Sequence, residues 1–394
     1  MFRNAVLVIV VLVLGACATA PAVYQAGTPC EAQAFTVTDG FGGARRGDCE
    51  VLASDHVRVS ILPEDEGYIN PSPWYSFSVF PRRQGSAVIT LNYVGGQHRY
   101  VPKISFDGLG WAPIDEGRVQ VSDDGTRVDI EVPLTEQPFW ISAQELLTPD
   151  LYDVWTREIA DRSGARIGLL GQSLKGRPML YLETEAQSDD VLLLIGRQHP
   201  PEVSGAFAFF SFMEALLAET ELANRFRERF SIVAIPLLNP DGVLGGHWRH
   251  NLGSKDLNRD WGEWEQPETR AVAKLLETFD TDGRHVRVFL DFHSTDRNLF
   301  YTPDDTVPTT PPRFFEAWFA RATPRLVDYP FTNEAGPGKR PVVAKNYMYS
   351  RYGIPAATYE VGDETDRQAT MAAAVVFAEE LMTLMLETVV PIDR

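Results

Sequence analysis

Positive charge is what this sequence most lacks. Its 36 Lys and Arg residues face 54 Asp and Glu, a formal net charge of -18 over 394 residues. That balance argues against nucleic-acid and anionic-membrane surfaces, which need basic patches. It serves solubility and says little about a substrate. Cysteine is scarce as well, with 3 in the chain. Cys30 and Cys49 lie away from the histidines, which argues against thiolate ligation of a metal. Internal repeats and long low-complexity runs are missing too, so a solenoid or a disordered scaffold is not indicated. The apolar run at residues 5–14 (AVLVIVVLVL) is too short to span a membrane comfortably as a mature helix.

That run, preceded by Arg3, reads as a targeting segment outside the fold. It ends in Leu14-Gly15-Ala16-Cys17, which resembles the lipobox of bacterial lipoproteins. The resemblance implies a signal over residues 1–16, cleavage before Cys17 and lipidation of Cys17. Ala18 carries no acidic retention signal, so an outer-membrane anchor with periplasmic folded domains is expected; an ordinary secretory signal is the plainer alternative. Residues 17–30, small and Pro/Ala-rich, read as a tether. Cys30 and Cys49 then remain as an even pair in an exported protein, for which one disulfide worth about 3 kcal/mol is expected.

Two rhythms follow. Residues 31–145 hold short alternating runs (VRVSIL, WYSFSVF, SAVITLNYV, RVQVS, VDIEVPL) punctuated by Asn70-Pro71, Gly95-Gly96, Asp107-Gly108 and Asp124-Gly125. This spacing predicts a smaller antiparallel β-sandwich domain. From 146 to 394, apolar strand-like runs (VLLLIG, FSIVAIPLL, VRVFLDF, AATYEV) alternate with helical stretches such as PETRAVAKLLETF. The expectation is an α/β domain: a doubly wound, mostly parallel sheet with helices on both faces.

In open α/β sheets, ligands gather beyond the carboxyl ends of the strands. His199, Glu202, His293 and Glu360 each fall at such an end, in VLLLIGRQHPPEVSG, VFLDFHS and AATYEVG. A hydrolytic zinc needs three protein ligands, an open position for water and a base for that water's proton. Two histidines and a glutamate can ligate it, and a second glutamate can act as the base. Pro200 and Pro201 restrict the loop that presents His199 and Glu202. Asp291 is a candidate partner for a ligating histidine. His56 and His98 read as surface or packing residues, and His247 and His250, flanking Arg249, as lining the cleft or the surface, rather than as ligands.

Between the ligands lies NPDGVLGGHWRHNLGSKDLNRDW. The set His199-x-x-Glu202, Asn239-Pro240-Asp241-Gly242, Trp248-Arg249, Asp256-Leu257-Asn258-Arg259, His293 and Glu360 resembles the zinc carboxypeptidase (funnelin) family. The resemblance covers about 146–390, with all anchors in the family's order. It implies one Zn2+ held by His199, Glu202 and His293, with Glu360 as general base. It also implies Arg249 as oxyanion partner, and Asn258 and Arg259 as holders of the substrate's terminal carboxylate. WYSFSVF, KISFDGLGW and PFWISAQELL resemble, more loosely, the β-module of the cytosolic carboxypeptidase-like subfamily. The capping tyrosine of the digestive members has no counterpart in GPGKRP; Tyr347, Tyr349 and Tyr352 lie nearer, with Tyr347 the candidate.

The stretch that lines the terminal side-chain pocket in the family holds Lys345 or Asn346 here. With Lys339, Arg340 and Arg351 nearby, an acidic terminal residue is expected by charge complementarity. Asp363 and Glu364 either raise the pKa of Glu360 or form a solvated loop. The expected partners are peptide or protein C-termini, with wall peptides included, no nucleic acid, and a membrane only through the lipid. The alternatives are a cell-wall peptide amidase of the same fold and a non-catalytic zinc-binding lipoprotein. The sequence sets no oligomeric state.

Overall fold

The computed structural model describes residues 27–65, 72–304, 308–336 and 342–390. Cys17, the expected signal over residues 1–16, Lys339 and Arg340 lie outside the described residues. Cys30 and Cys49 are joined by a disulfide with their Cα atoms 5.8 Å apart.

Two sheets form the N-terminal part. One has six strands, among them Phe35–Thr38, Ser76–Pro81 and Phe139–Ser142; the other has five, among them His56–Ile61, Gly85–Tyr93 and Arg127–Leu134. Strict alternation buries Val57, Val59 and Ile61 on one strand and Val128, Ile130, Val132 and Leu134 on another. This is the half-buried pattern of sheets packed face to face. One pairing departs from the antiparallel expectation: His56–Ile61 runs parallel to Gly85–Tyr93, with Val57 opposite Ile89. The intervening strand Ser76–Pro81 belongs to the other sheet, so the chain crosses and returns, reversing direction twice.

The second part is built on an eight-stranded sheet. In chain order its strands are β1 (Arg166–Gln172), β2 (Pro178–Glu183), β3 (Asp190–Gly196), β4 (Ser231–Ile235), β5 (His285–Thr295), β6 (Leu299–Pro303), β7 (Thr332–Gly336) and β8 (Ala356–Gly362). Their spatial order is β1-β2-β4-β3-β5-β8-β6-β7. The central strands β4, β3, β5 and β8 are mutually parallel, whereas β1, β2 and the β8–β6 pair add antiparallel contacts. Being covered on both faces, β3 and β4 read as continuous apolar runs rather than alternating ones. Leu192, Leu194, Leu290 and Tyr359 pack under helices Val203–Leu216 and Arg367–Thr388. Leu193, Ile195, Phe289 and Ala356 pack on the opposite face under Pro267–Asp282 and Ala344–Tyr352.

Trp248 and Val203 belong to the second part by sequence, yet they are buried within the core of the N-terminal sheets. Arg99–Asp363, Lys103–Glu364 and Arg367–Glu145 ion pairs close the same junction at 2.8, 3.1 and 2.8 Å. Asp363 and Glu364 are therefore committed to partners across the junction.

Candidate active site and metal centre

Strand order assembles the site. β3, β5, β8 and β6 are neighbours, and in β5 and β8 His293 lies directly opposite Glu360. Alternation puts Asp291, His293, Thr358 and Glu360 on one face. On the next strand Tyr301 pairs with Thr358, which brings its ring to the same face.

His199 and Glu202 follow β3 in a tightly held loop. Arg197 adopts a left-handed backbone at φ 53°, a conformation that persists only when its surroundings enforce it. Its buried guanidinium donates from Nε and an η nitrogen to the Pro200 carbonyl at 3.0 and 2.7 Å, and from the other to Tyr152 Oη at 2.9 Å. Asn239 braces the loop from behind, donating Nδ2 to the Gln198 carbonyl at 3.0 Å. Glu202 then stands at the start of helix Val203–Leu216, its side chain turned to the histidines rather than to the helix amides, and the helix lies so close to β5 that a Cβ on Gly205 would sit 2.3 Å from the His293 carbonyl oxygen. Only glycine admits that approach.

The result is convergence. Glu202 Oε1 lies 2.7 Å from His199 Nδ1 and its Oε2 lies 2.7 Å from His293 Nδ1; the two Nδ1 atoms are 3.0 Å apart. All three residues are buried, and their ligand atoms lie within 4.8 Å of one another. Each imidazole is anchored through its other nitrogen, His199 Nε2 to Asp256 at 3.0 Å and His293 Nε2 to Asp291 at 2.7 Å. A carboxylate on Nε2 keeps the proton there and leaves Nδ1 as the metal-facing lone pair. Donor set, burial and tautomers fit the two-histidine, one-carboxylate zinc of hydrolases.

A cleft of about 470 Å³ opens over these residues, lined also by Arg249, Asn258, Arg259, Lys345, Asn346, Tyr301 and Glu360. Burial pushes Glu360 up to about 7, with the His293 and Arg249 charges pulling against it. Its Oε2 is buried without a hydrogen-bond partner among the described residues. Arg249 donates Nε to Asp256 at 2.9 Å and lies 3.5 Å from Glu202. Burial alone would raise the Asp256 carboxyl, but His199 and Arg249 outweigh it and hold it well below the usual range. Asn258 Oδ1 accepts from the Ala344 amide at 2.8 Å, which seats the helix carrying Lys345. Burial lowers the Lys345 ammonium to about 8.

Tyr347 is not brought into this cleft. Two residues beyond Lys345 is about 200° around a helix, and its ring packs on Trp264 at 4.9 Å instead. Several lining residues escaped the sequence analysis, among them Tyr301, and Ser72 and Arg99 from loops of the N-terminal part. For Tyr301 the signal was available, since the short run LFYTP after His293 reads as a strand. Ser72 and Arg99 carried none. His247 and His250 stay outside the three-residue cluster; His250 Nδ1 meets Asp65 at 2.7 Å.

Comparison with known proteins agrees with this geometry. Residues 152–382, more than half of the chain, match the zinc carboxypeptidase model of peptidase family M14. The chain is 33% identical over 153 residues to human cytosolic carboxypeptidase 4, covering 34% of this chain and 14% of that protein. It is 28% identical over 153 residues to cytosolic carboxypeptidase 6 of Caenorhabditis elegans, covering 36% and 33%. The matches thus span a third or less of these relatives' length. Among solved structures, a metallo-carboxypeptidase from Burkholderia cenocepacia superposes with a TM-score of 0.73 at 18% identity, over 90% of this chain and 99% of that one. One from Pseudomonas aeruginosa, in complex with (2-guanidinoethylmercapto)succinic acid, gives 0.72 at 19% identity over 89% and 99%. At such identities the likeness is one of fold, and its coverage takes in the N-terminal sheets. The chain belongs to the zinc carboxypeptidase family, and His199, Glu202 and His293 are its residues suited to that family's single zinc.

Proposed function

We propose that this chain is a zinc-dependent carboxypeptidase that removes the C-terminal residue of peptides or proteins, with acidic residues preferred. One observation carries the reading: the convergent His199, Glu202 and His293 donors open into a cleft that also holds Glu360, Arg249, Asn258 and Arg259. Zinc, when bound, supplies an acidified water and a Lewis acid for the scissile carbonyl.

The chain's own residues do the rest. Glu360, beside His293 in register, takes the proton of the attacking water and returns it to the leaving amine. Arg249, held from behind by Asp256, faces the negative charge that develops on the carbonyl oxygen. Arg259 and Asn258 receive the substrate's terminal carboxylate, to which a planar guanidinium is matched in a two-point contact. Lys345, whose ammonium lies among the cleft-lining groups, meets an acidic terminal side chain.

The test is release of terminal residues from a panel of C-terminally varied peptides, wall stem peptides included, by zinc-loaded wild type and Glu360→Gln. Zinc-dependent release, fastest for Glu-terminated peptides and lost in the variant, is expected. Turnover of wall peptides alone would move the reading to a wall amidase. Silence with zinc still bound would point to a binding protein.

The same reading puts the enzyme in the cell envelope, tethered through Cys17. The lipobox-like Leu14-Gly15-Ala16-Cys17 supports this, as does the Cys30–Cys49 disulfide, a bond suited to oxidising compartments. Labelling with radioactive palmitate should disappear in Cys17→Ala. Persistent labelling would remove the anchor from Cys17.

A further inference from the structure

We propose that Glu64, in the N-terminal part, is a positioning residue for the reaction and acts through the backbone of Arg249. This inference rests on the reading of Arg249 as the oxyanion partner. The Glu64 side chain is 2% exposed. Its Oε2 accepts the Trp248 amide at 2.7 Å, and its Oε1 accepts the Arg249 and His250 amides at 2.9 and 2.6 Å. Three consecutive N–H groups converging on one carboxylate form an anion-holding concavity, and each bond is charge-assisted and roughly twice as strong as a neutral one.

The neighbouring contacts aim the same way. Trp248 anchors the loop by burying its indole in the N-terminal core and donating Nε1 to the Trp74 carbonyl at 3.1 Å. Arg45 ties the Glu64 segment down, donating to the Leu62 and Pro63 carbonyls at 3.1 and 2.8 Å and to Gly245 at 3.4 Å. Arg249 is thereby held twice. Glu64 sets its backbone, and Asp256 holds its guanidinium at 2.9 Å.

Glu64, Asp65 and His250 also form a cluster that could hold a cation. The three amides, however, already occupy three of the roughly four lone-pair sites of the Glu64 carboxylate. The arrangement is built to fix a loop. It makes the N-terminal sheets part of the catalytic apparatus, since neither Trp248 nor the Arg249 amide keeps its partner without them.

Steady-state kinetics on full-length, zinc-loaded Glu64→Gln, Arg249→Ala and the double variant test this. Glutamine keeps the shape but turns an amide N–H toward backbone donors. The expected result is a kcat lower by about 10–100-fold, the scale of a 1 Å misplacement. KM should stay within about twofold, with one zinc per chain and a wild-type circular dichroism spectrum. Because Glu64 acts through Arg249, the double variant should be no slower than Arg249→Ala alone. Wild-type kcat in Glu64→Gln beside an impaired Arg249→Ala would overturn the inference alone. Multiplying losses in the double variant, or lost zinc or fold in Glu64→Gln, would do the same. Unchanged kcat in Arg249→Ala would strike the reading of Arg249 itself, and this inference with it.

Discussion

Asp256 is the most informative side chain to perturb, because one carboxylate serves two functional neighbours. Its Oδ1 accepts from His199 Nε2 at 3.0 Å and from the Asn258 amide at 2.8 Å, while its Oδ2 takes Arg249 Nε at 2.9 Å. Asp256→Asn keeps the volume and removes the charge. The new amide must turn its NH2 toward either His199 or Arg249. Facing His199 Nε2, it forces the proton onto Nδ1, the atom that should face the metal; facing Arg249, it sets donor against donor. Loss of such a carboxylate behind a metal-ligating histidine typically weakens metal binding or activity by about 10–100-fold, or about 1.4–2.7 kcal/mol. That range overlaps the roughly 1.5–3 kcal/mol of a hydrogen bond to a charged group.

Chelator competition at neutral pH measures the first effect, and kcat at saturating zinc measures the second through Arg249. The pH dependence has a definite sign. The folded-state value of Asp256 is depressed, so its contribution is present above the ordinary carboxylate pKa near 4. It is lost only as pH falls through the lower folded value. Wild type and variant should therefore differ fully at neutral pH and converge in acid. Zinc affinity within twofold of wild type in Asp256→Asn would show that Asp256 does not orient His199 for the metal.

Two further outcomes are expected. Gly205→Ala drives a Cβ to 2.3 Å from the His293 carbonyl oxygen, so helix and strand must part. Overpacking of this kind costs about 1–3 kcal/mol, to be read as a lower melting temperature with reduced zinc occupancy; unchanged values would contradict the close approach. Lys345 is charged only below about 8, so KM for Glu-terminated peptides should climb above that pH relative to Leu-terminated ones. In Lys345→Met the pH dependence of that ratio should flatten; a ratio that still climbs assigns it to another group.

Much of the site was legible before folding. His199, Glu202, His293 and Glu360 each combine a chemically specific residue type with a place at the end of an apolar run, and such ends meet where parallel strands finish. The two-part architecture was legible too, because a period of two and a strand–helix alternation are local properties of the chain. The parallel pairing of His56–Ile61 with Gly85–Tyr93 was not, since periodicity is blind to which sheet a strand joins. The direction of Tyr347 depended on where a short helix begins, a boundary the sequence marks poorly: helix Ala344–Tyr352 has no side-chain cap.

The inventory was therefore present in the linear chain: the candidate ligand set, the carboxylate beside it, the guanidinium groups and the strands that carry them. Which groups hold them in place was settled by packing. Glu64 meets the Arg249 amide from 185 residues away, and Arg99 reaches Asp363 across 264. Contacts that long leave no period or spacing in the chain, because they form only when two separately patterned cores pack against each other.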